Sequence, residues 1–193
     1  MVLFQEESCE VFSLSLYNGP SCAKIISRIR KSRGWSEARV RKQFGNGKVR
    51  SLRLSSVRHA RILDPARAKK IYDDFERQIN QKVKPLIKHI WHADLREHSG
   101  TQIIRYAPNG HYQAHTDSGL DLDDRYFTVL CYLNDNFEGG CTFFPYLNYR
   151  ATPGCGRAVI FPSRYMHCAE PVLHGEKFVA LTWVMGPLPI QWL

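Results

Sequence analysis

Four residues of this chain have the types and the spacing of a metal site with an anion pocket beside it. His115 and Asp117 are two positions apart, His167 follows His115 by 52 residues, and Lys177 follows His167 by ten. Residues i and i+2 of a strand point to the same face, so His115 and Asp117 can reach one metal ion together. Two imidazoles and one carboxylate form the facial set that holds non-haem Fe(II) and leaves coordination positions open. Lys177 could then supply a cation for the far carboxylate of a dicarboxylic cosubstrate.

The spacing by itself is a weak signal, because the chain contains a second His-x-Asp sequence, His92-Ala93-Asp94. That copy ends a charged helical stretch, and the residue 52 positions after His92 is Phe144, which cannot bind a metal. The neighbours of His115 carry more information. In chain order they are the segments 105–117, 128–134 and 138–143, followed by Gly156, Phe161, His167, the segment 175–177 and Trp183.

In the content and order of these motifs, residues 100–186 resemble the 2-oxoglutarate- and Fe(II)-dependent oxygenases, within them the prolyl 4-hydroxylase-like group. The resemblance implies an α+β fold, a double-stranded β-helix (jelly-roll barrel) with N-terminal supporting helices. It implies that His115, Asp117 and His167 are the metal ligands. It also implies cosubstrate contacts for Lys177, Tyr106 and Thr128, and substrate-side positions for Tyr112 and Trp183.

The chemistry that the resemblance implies is hydroxylation of an unactivated C–H, with release of succinate and CO2. The cofactors would be Fe(II), 2-oxoglutarate and O2, with ascorbate as a candidate stimulant, and no catalytic residue is expected beyond the metal centre. Related halogenases have a small residue in place of the carboxylate ligand. Asp117 therefore favours hydroxylation, or a similar oxidation, over halogenation.

The substrate is less well defined by the sequence. We expect a small amino-acid-like or natural-product molecule, with a prolyl hydroxylase acting on a protein or peptide as the alternative. A nucleic-acid demethylase is disfavoured, because that family usually has paired arginines after the distal histidine. Here the equivalent stretch, 168–179, contains Lys177 and no arginine. An inactive barrel used as a binding module is disfavoured by the intact set of ligands. The sequence leaves the oligomeric state open.

Length and composition indicate one globular domain of 193 residues. Its expected parts are a helical and strand support region (1–98), the oxygenase core (99–186) and a C-terminal tail (187–193). No stretch of eighteen apolar residues and no leader-like N-terminus occurs, so we expect neither membrane insertion nor secretion. The six cysteines lack the spacing of a zinc site. The reducing cytoplasm is the expected location.

The net charge of +9 is unevenly distributed along the chain. Residues 1–98 hold 21 Lys and Arg against 10 Asp and Glu, whereas residues 99–193 hold 6 against 8. We interpret the basic half as a solvated face of the supporting helices and predict no nucleic-acid substrate. An acidic loop follows two of the ligands, and its three carboxylates are candidate substrate-side groups in a mobile lid that attracts a cation: Asp121, Asp123 and Asp124.

Local patterns predict the elements that must position these residues. The alternation over 10–16 and 48–55 predicts strands, and the segment 21–33 a helix. Asp64-Pro65 predicts the start of a helix whose apolar stripe is Ile71, Phe75, Ile79 and Val83, and Pro85 predicts a break in it. From Thr101 onward, short strands separated by glycine and proline predict a sandwich or barrel.

Overall fold

The computed structural model describes residues 3–119, 122 and 124–186, which form two stacked antiparallel sheets with helices against the larger one. The helices are α1 (Gly19–Lys31), α2 (Lys69–Gln78) and α3 (Lys84–Trp91). The strands are β1 (Phe4–Ser8), β2 (Val11–Ser15), β3 (Trp35–Glu37), β4 (Val40–Gln43), β5 (Val49–Leu52), β6 (Arg58–His59), β7 (Arg61–Leu63), β8 (His98–Tyr106), β9 (His111–His115), β10 (Arg125–Tyr132), β11 (Glu138–Gly139), β12 (Thr142–Phe144), β13 (Tyr149–Ala151), β14 (Arg157–Pro162), β15 (His167–Ala169), β16 (Val172–His174) and β17 (Lys177–Met185).

The two sheets have the strand order of a jelly roll. The major sheet runs β1-β2-β14-β10-β17-β8-β7-β3, and the minor sheet runs β13-β12-β15-β9-β6. Two further pairs, β11-β16 and β4-β5, stand outside both sheets. The aromatic rings of Phe144 in the minor sheet and Phe161 in the major sheet meet edge to face at 4.8 Å, so the inner faces of the sheets share one core.

Alternation along β10 and β17 separates two cores. On β10, Phe127, Val129 and Cys131 face the helices, whereas the residues between them face the interior of the barrel. Apolar residues of α1, α2 and α3 cover the outer face. The same alternation places Lys177, the first residue of β17, on the inner face, where its side chain is fully buried.

The helices follow the predicted pattern with shifted boundaries. Asn18 caps α1, and its side chain accepts a hydrogen bond from the Ser21 amide at 3.0 Å, so the helix begins at Gly19. Asp64 caps only a 3₁₀ turn (Pro65–Arg67), and α2 begins at Lys69. The break predicted at Pro85 takes the form of a π-helical turn (Ile79–Val83) directly before α3.

The N-terminal half contributes strands to both sheets. β1 and β2 extend one edge of the major sheet, β7 and β3 the other edge, and β6 pairs with β9 in the minor sheet. This half is therefore built into the barrel as well as supporting it from outside. In the part of the chain that the structure describes, no helix is long and apolar enough to cross a membrane. The tail at 187–193 lies outside the described residues.

Gly156 ties the N-terminal strands to the barrel. It has φ +77°, and a Cβ atom built on it would lie 2.0 Å from the carbonyl oxygen of Tyr17. Its own carbonyl accepts hydrogen bonds from the amides of Leu16 (2.9 Å) and Tyr17 (3.2 Å). No side chain fits at this contact without displacing backbone.

We expect Gly156→Ala to lower the free energy of unfolding by about 2 kcal/mol or more, because strain at positive φ adds to a backbone clash. Urea denaturation measures this difference. Gly45→Ala is the matched control, since Gly45 has nothing within 4 Å of its added Cβ and should change stability by at most about 0.5 kcal/mol. Equal stability of the two variants would contradict the proposed contact.

Candidate metal centre and cosubstrate pocket

The pairing of two strands brings the predicted ligands together. β9 and β15 are antiparallel neighbours, and their register places His115 directly opposite His167. Asp117 lies two residues beyond His115, where its amide donates to the Ser163 carbonyl at 2.9 Å. One side-chain ligand atom from each of the three residues lies within 4.8 Å of the others. In the described residues this is the one such group of His, Cys, Asp and Glu side chains.

Both imidazoles are oriented for coordination through Nε2. The Nδ1 atom of His115 lies 2.8 Å from the Gln113 carbonyl, and that of His167 lies 2.9 Å from the Tyr165 carbonyl. A backbone carbonyl can only accept, so each Nδ1 carries the proton and each Nε2 has a free lone pair. The two Nε2 atoms lie 3.5 Å from Oδ1 and Oδ2 of Asp117, respectively.

The protonation states fit metal binding. Burial alone would raise the pKa of Asp117, but the imidazoles of His167 and His115 and the hydrogen bond from Thr128 hold it well below its usual value. Burial and the charge of His115 lower the pKa of His167 to about 4. A carboxylate and a neutral imidazole are therefore present at neutral pH, and these are the forms that bind a metal.

Thr128 contacts the carboxylate of the candidate ligand Asp117. Its hydroxyl is fully buried, donates to Oδ2 of Asp117 at 2.8 Å and lies 3.0 Å from the Ser163 hydroxyl. Thr128 is therefore positioned to orient this carboxylate, and its predicted contact with the cosubstrate stays a prediction. Ser163, which sequence reasoning missed, holds the same carboxylate residue through its backbone carbonyl.

Lys177 is a fully buried cation between two tyrosines. Its Nζ donates to the Gly140 carbonyl at 2.6 Å and lies 5.0 Å from the ring centre of Tyr106 and 5.3 Å from that of Tyr132. Burial lowers the pKa of Lys177 to about 8. An ammonium group has three donors, so two remain for an anion.

The residues around Lys177 include the predicted Tyr106 and two that were not predicted. Tyr106 pairs directly with Lys177 across β8 and β17, and burial raises the pKa of its hydroxyl. Tyr132 and Thr142 share a buried hydrogen bond at 2.7 Å between their hydroxyls. Tyr132 could have been predicted from the alternation on β10, because Thr128, Leu130 and Tyr132 face inward together.

A cavity of about 650 Å³ opens beside the ligands. Tyr112 and Trp183, the predicted substrate-side residues, both line it. The ring of Tyr112 stacks on that of His115 with centroids 3.6 Å apart, and the Arg125 guanidinium lies 3.5 Å from the centre of the Trp183 ring. The Trp183 Nε1 atom is buried without a hydrogen-bond partner among the described residues. Lys177 does not line this cavity, but Tyr106 and Thr142 do.

The acidic loop is only partly described. Asp121 and Asp123 lie outside the described residues, so their predicted position on the substrate side stays a prediction. Asp124 is exposed and is not among the cavity-lining residues, whereas its neighbour Arg125 is. The structure thus places no carboxylate of this loop at the cavity within its described part.

Comparison with known proteins agrees with this geometry. Residues 101–185 match the family model of the 2OG-Fe(II) oxygenase superfamily. The match covers fewer than half of the residues of the chain. A putative prolyl 4-hydroxylase of Acanthamoeba polyphaga mimivirus is 32% identical over 128 residues, 54% of this chain and 53% of the relative. The prolyl 4-hydroxylase subunit alpha-1 of Gallus gallus is 29% identical over 129 residues, 57% of this chain and 25% of the relative.

Solved structures of the same group share the fold over most of the chain. A Trichoplax adhaerens prolyl hydroxylase in complex with a hypoxia inducible factor peptide has a TM-score of 0.71 at 17% identity, covering 92% of this chain and 84% of that one. A Pseudomonas putida prolyl-4-hydroxylase has a TM-score of 0.66 at 18% identity, covering 92% and 93%. These matches confirm the predicted jelly-roll fold. The chain spans a quarter to about half of the curated relatives named above.

The superfamily uses Fe(II), 2-oxoglutarate and O2, and the donor set fits that use. Two imidazoles with free Nε2 atoms and one ionised carboxylate match the ligand preference of non-haem Fe(II). The buried ammonium of Lys177, which has no carboxylate partner among the described residues, matches the need for an anion at the inner end of the barrel.

We predict that His167→Ala abolishes stoichiometric Fe(II) binding, because two of three ligands cannot hold the ion in a facial site. Anaerobic titration followed by absorbance of the Fe(II)–2-oxoglutarate complex measures the loss. His92→Ala is the control, since His92 is exposed and remote from the ligand group. Intact binding by the His167 variant would rule out the assigned centre.

We predict that Lys177→Met weakens 2-oxoglutarate binding more than tenfold, since loss of a buried cation that holds a carboxylate costs about 2–5 kcal/mol. The native affinity should be constant at low pH and fall as the pH rises through about 8, where the buried ammonium loses its proton. Calorimetry across that range checks both effects. A pH profile that is the same in the native protein and the variant would assign the anchor to another residue.

Proposed function

We propose that this chain is an Fe(II)- and 2-oxoglutarate-dependent dioxygenase that hydroxylates a residue within a peptide or protein. The observation that carries the proposal is the converging group of His115, Asp117 and His167 beside an open cavity with a buried lysine behind it. The names of the relatives and structural neighbours, which are prolyl hydroxylases, support a peptide substrate over the small amino-acid-like molecule that the sequence alone favoured.

The residues of the site would have two roles, binding the metal and binding the cosubstrate. His115, Asp117 and His167 would hold the metal, with Thr128 and the backbone carbonyls of Gln113 and Tyr165 fixing the orientation of their side chains. Lys177 and the Tyr106 hydroxyl would bind the distal carboxylate of 2-oxoglutarate. When bound, Fe(II) and 2-oxoglutarate supply the activation of O2 that an unactivated C–H requires.

The substrate side of the cavity would be formed by Tyr112, Trp183 and Arg125. Burial raises the pKa of Tyr112, so its hydroxyl stays protonated at neutral pH and can donate a hydrogen bond. The indole N–H of Trp183, which has no acceptor within the described part of the chain, is a second donor. Such donors can bind the carbonyl oxygens of a peptide backbone. These hydrogen bonds would hold the reacting C–H bond in a fixed position.

Two further proposals concern the whole chain. We propose that residues 1–186 act as one domain, because strands from the N-terminal half complete both sheets of the core. We also propose a reducing location such as the cytoplasm, supported by six unpaired cysteines and by the need to keep iron in its Fe(II) state.

The test is a coupled assay with purified chain, Fe(II), 2-oxoglutarate and ascorbate. We expect proline-containing peptides to stimulate succinate formation at least about tenfold over substrate-free turnover, and mass spectrometry to find one added oxygen on the peptide. Asp117→Gly should abolish both signals. Stimulation by free amino acids but by no peptide would restore the small-molecule alternative.

A further inference from the structure

A segment of the N-terminal half concentrates the positive charge of the chain. Residues 38–63 hold eight Lys and Arg and no Asp or Glu. In the structure this segment forms the two-stranded ribbon β4-β5 and the strands β6 and β7. We call residues 39–53 the basic ribbon; its six cationic side chains are all exposed, namely Arg39, Arg41, Lys42, Lys48, Arg50 and Arg53.

Two like charges face each other across the ribbon. Lys42 and Arg50 are directly opposite each other in the β4-β5 register. Like charges in that position destabilise a strand pair. No acidic residue occurs within the segment to offset them. An anion bound across the ribbon would remove this repulsion, so the arrangement favours an acidic ligand.

The ribbon forms one wall of the cavity beside the metal ligands. Arg39, Arg41 and Ser51 line that cavity together with His115 and His167. Deeper in the wall, the buried Arg58 donates to the Arg39 carbonyl at 3.3 Å and to Oε1 of Gln102 at 3.1 Å. Positive charge therefore runs continuously from the exposed ribbon to the interior.

Arg58 has one N–H group without an acceptor among the described residues. The Nε atom of Arg58 is buried and has no hydrogen-bond partner among the described residues. Its guanidinium lies 4.7 Å from the ring centre of Tyr112, which itself stacks on His115. An unsatisfied buried N–H is costly, and an acceptor on a bound molecule would satisfy it.

The two acids in the described part of the cavity wall are both engaged elsewhere. Arg39 and Arg58 line this wall, and the acids among its described lining residues are Glu37 and Asp117. Asp117 belongs to the metal, and Glu37 lies 3.9 Å from Arg53 at the edge of an adjacent cavity. A concave wall of one sign of charge attracts ligands of the opposite sign.

We propose that the basic ribbon docks an acidic segment of the peptide substrate, next to the residue that is oxidised. The proposal rests on the proposed function and names a substrate class for it. Glu and Asp side chains flanking the target residue would pair with Lys42, Lys48 and Arg50. The first peptide acceptor inside the cavity would take the Nε–H of Arg58.

A peptide fits this surface better than a nucleic acid. Bases bind single-strand readers by stacking on exposed aromatic faces. The aromatic rings near the ribbon and at the cavity are already in contact with cations or imidazole: Arg50 lies 5.6 Å from the centre of the Phe44 ring, Arg58 and His115 contact Tyr112, and Arg125 covers Trp183.

The test compares two fluorescent peptides that contain proline flanked by glutamates or, in the second, by glutamines. Binding to the full chain is measured by anisotropy at low and physiological salt. We expect the acidic peptide to bind at least about tenfold more tightly, equivalent to about 1.4 kcal/mol. The variant K42Q/K48Q/R50Q should lose that preference and should unfold at the same or a higher urea concentration, because Lys42 and Arg50 no longer repel each other.

The matched control removes three exposed cations that belong neither to the ribbon nor to the cavity beside the metal ligands. The variant K24Q/R28Q/K70Q has the same change in net charge, and its residues lie on α1 and α2. It should keep the preference for the acidic peptide. Equal losses in both variants would mean that net charge, and no local surface, causes the attraction, and would overturn the proposal.

Two other outcomes separate this proposal from the one it rests on. A single-stranded oligothymidine that binds more tightly than the acidic peptide would assign the ribbon to nucleic acid. If the glutamine peptide binds as well as the glutamate peptide and both are hydroxylated, the ribbon proposal fails while the proposed function stands. Tight, ribbon-dependent binding without succinate formation from any peptide would leave a docking surface and remove the proposed function.

Discussion

The register between β9 and β15 is the constraint on which the site depends. Side chains of a strand alternate between faces, so a slip of one residue would turn His115 or His167 away from the interior. The register is held by neighbours on both sides: β6 pairs with β9, and β12 pairs with β15. Asp117 stays in reach because the Ser163 carbonyl binds its amide. The ligand geometry is thus a property of the minor sheet and of its contact with the loop after β14.

Two opposite charges inside one barrel determine what the interior can bind. Asp117 is stabilised by two imidazoles and by the Thr128 hydroxyl, which makes it a ligand prepared for a cation. Among the described residues, Lys177 has a carbonyl partner and two tyrosine rings but no carboxylate, so its charge is incompletely compensated. Burying a charge without a partner is costly. The inner face of the barrel therefore carries one buried group that is suited to a cation and another that is suited to an anion.

Apolar packing on both faces of the central strands holds the buried charges in position. The outer faces of β10, β14 and β17 pack on the three helices, and the inner faces meet the minor sheet. With both faces covered, the central strands are held on each side by packing. The β4-β5 ribbon, in contrast, stands outside both sheets and presents its charged side chains to solvent. A packed centre with a charged peripheral wall is suited to fixed chemistry on a selected partner.

The sequence by itself predicted the three candidate ligands, a candidate anion-binding lysine and the jelly-roll fold, and the comparisons confirm the fold. His115, Asp117, His167 and Lys177 could be proposed because strand periodicity and ligand chemistry restrict which residues can share a metal, and because the order of the motifs around them resembles that of the oxygenases. It also located α1 and the apolar stripe of α2, since helix periodicity is local. The short strands β3, β4 and β6 were missed, because their residues are mostly exposed and carry little apolar alternation.

Only the tertiary structure decided how distant residues meet. The pairing of His115 with His167, the contact of Thr128 with Asp117 and the position of Tyr132 beside Lys177 depend on strand order, which a pattern along one chain does not encode. The basic N-terminal half was interpreted as a solvated face of the supporting helices, but six of its 21 cations lie on the basic ribbon, and two of these, Arg39 and Arg41, line the cavity. Net charge is readable from composition, but the surface on which it acts is set by packing, which brings Arg39, Arg41 and Arg58 to the cavity that Tyr112 and Trp183 line.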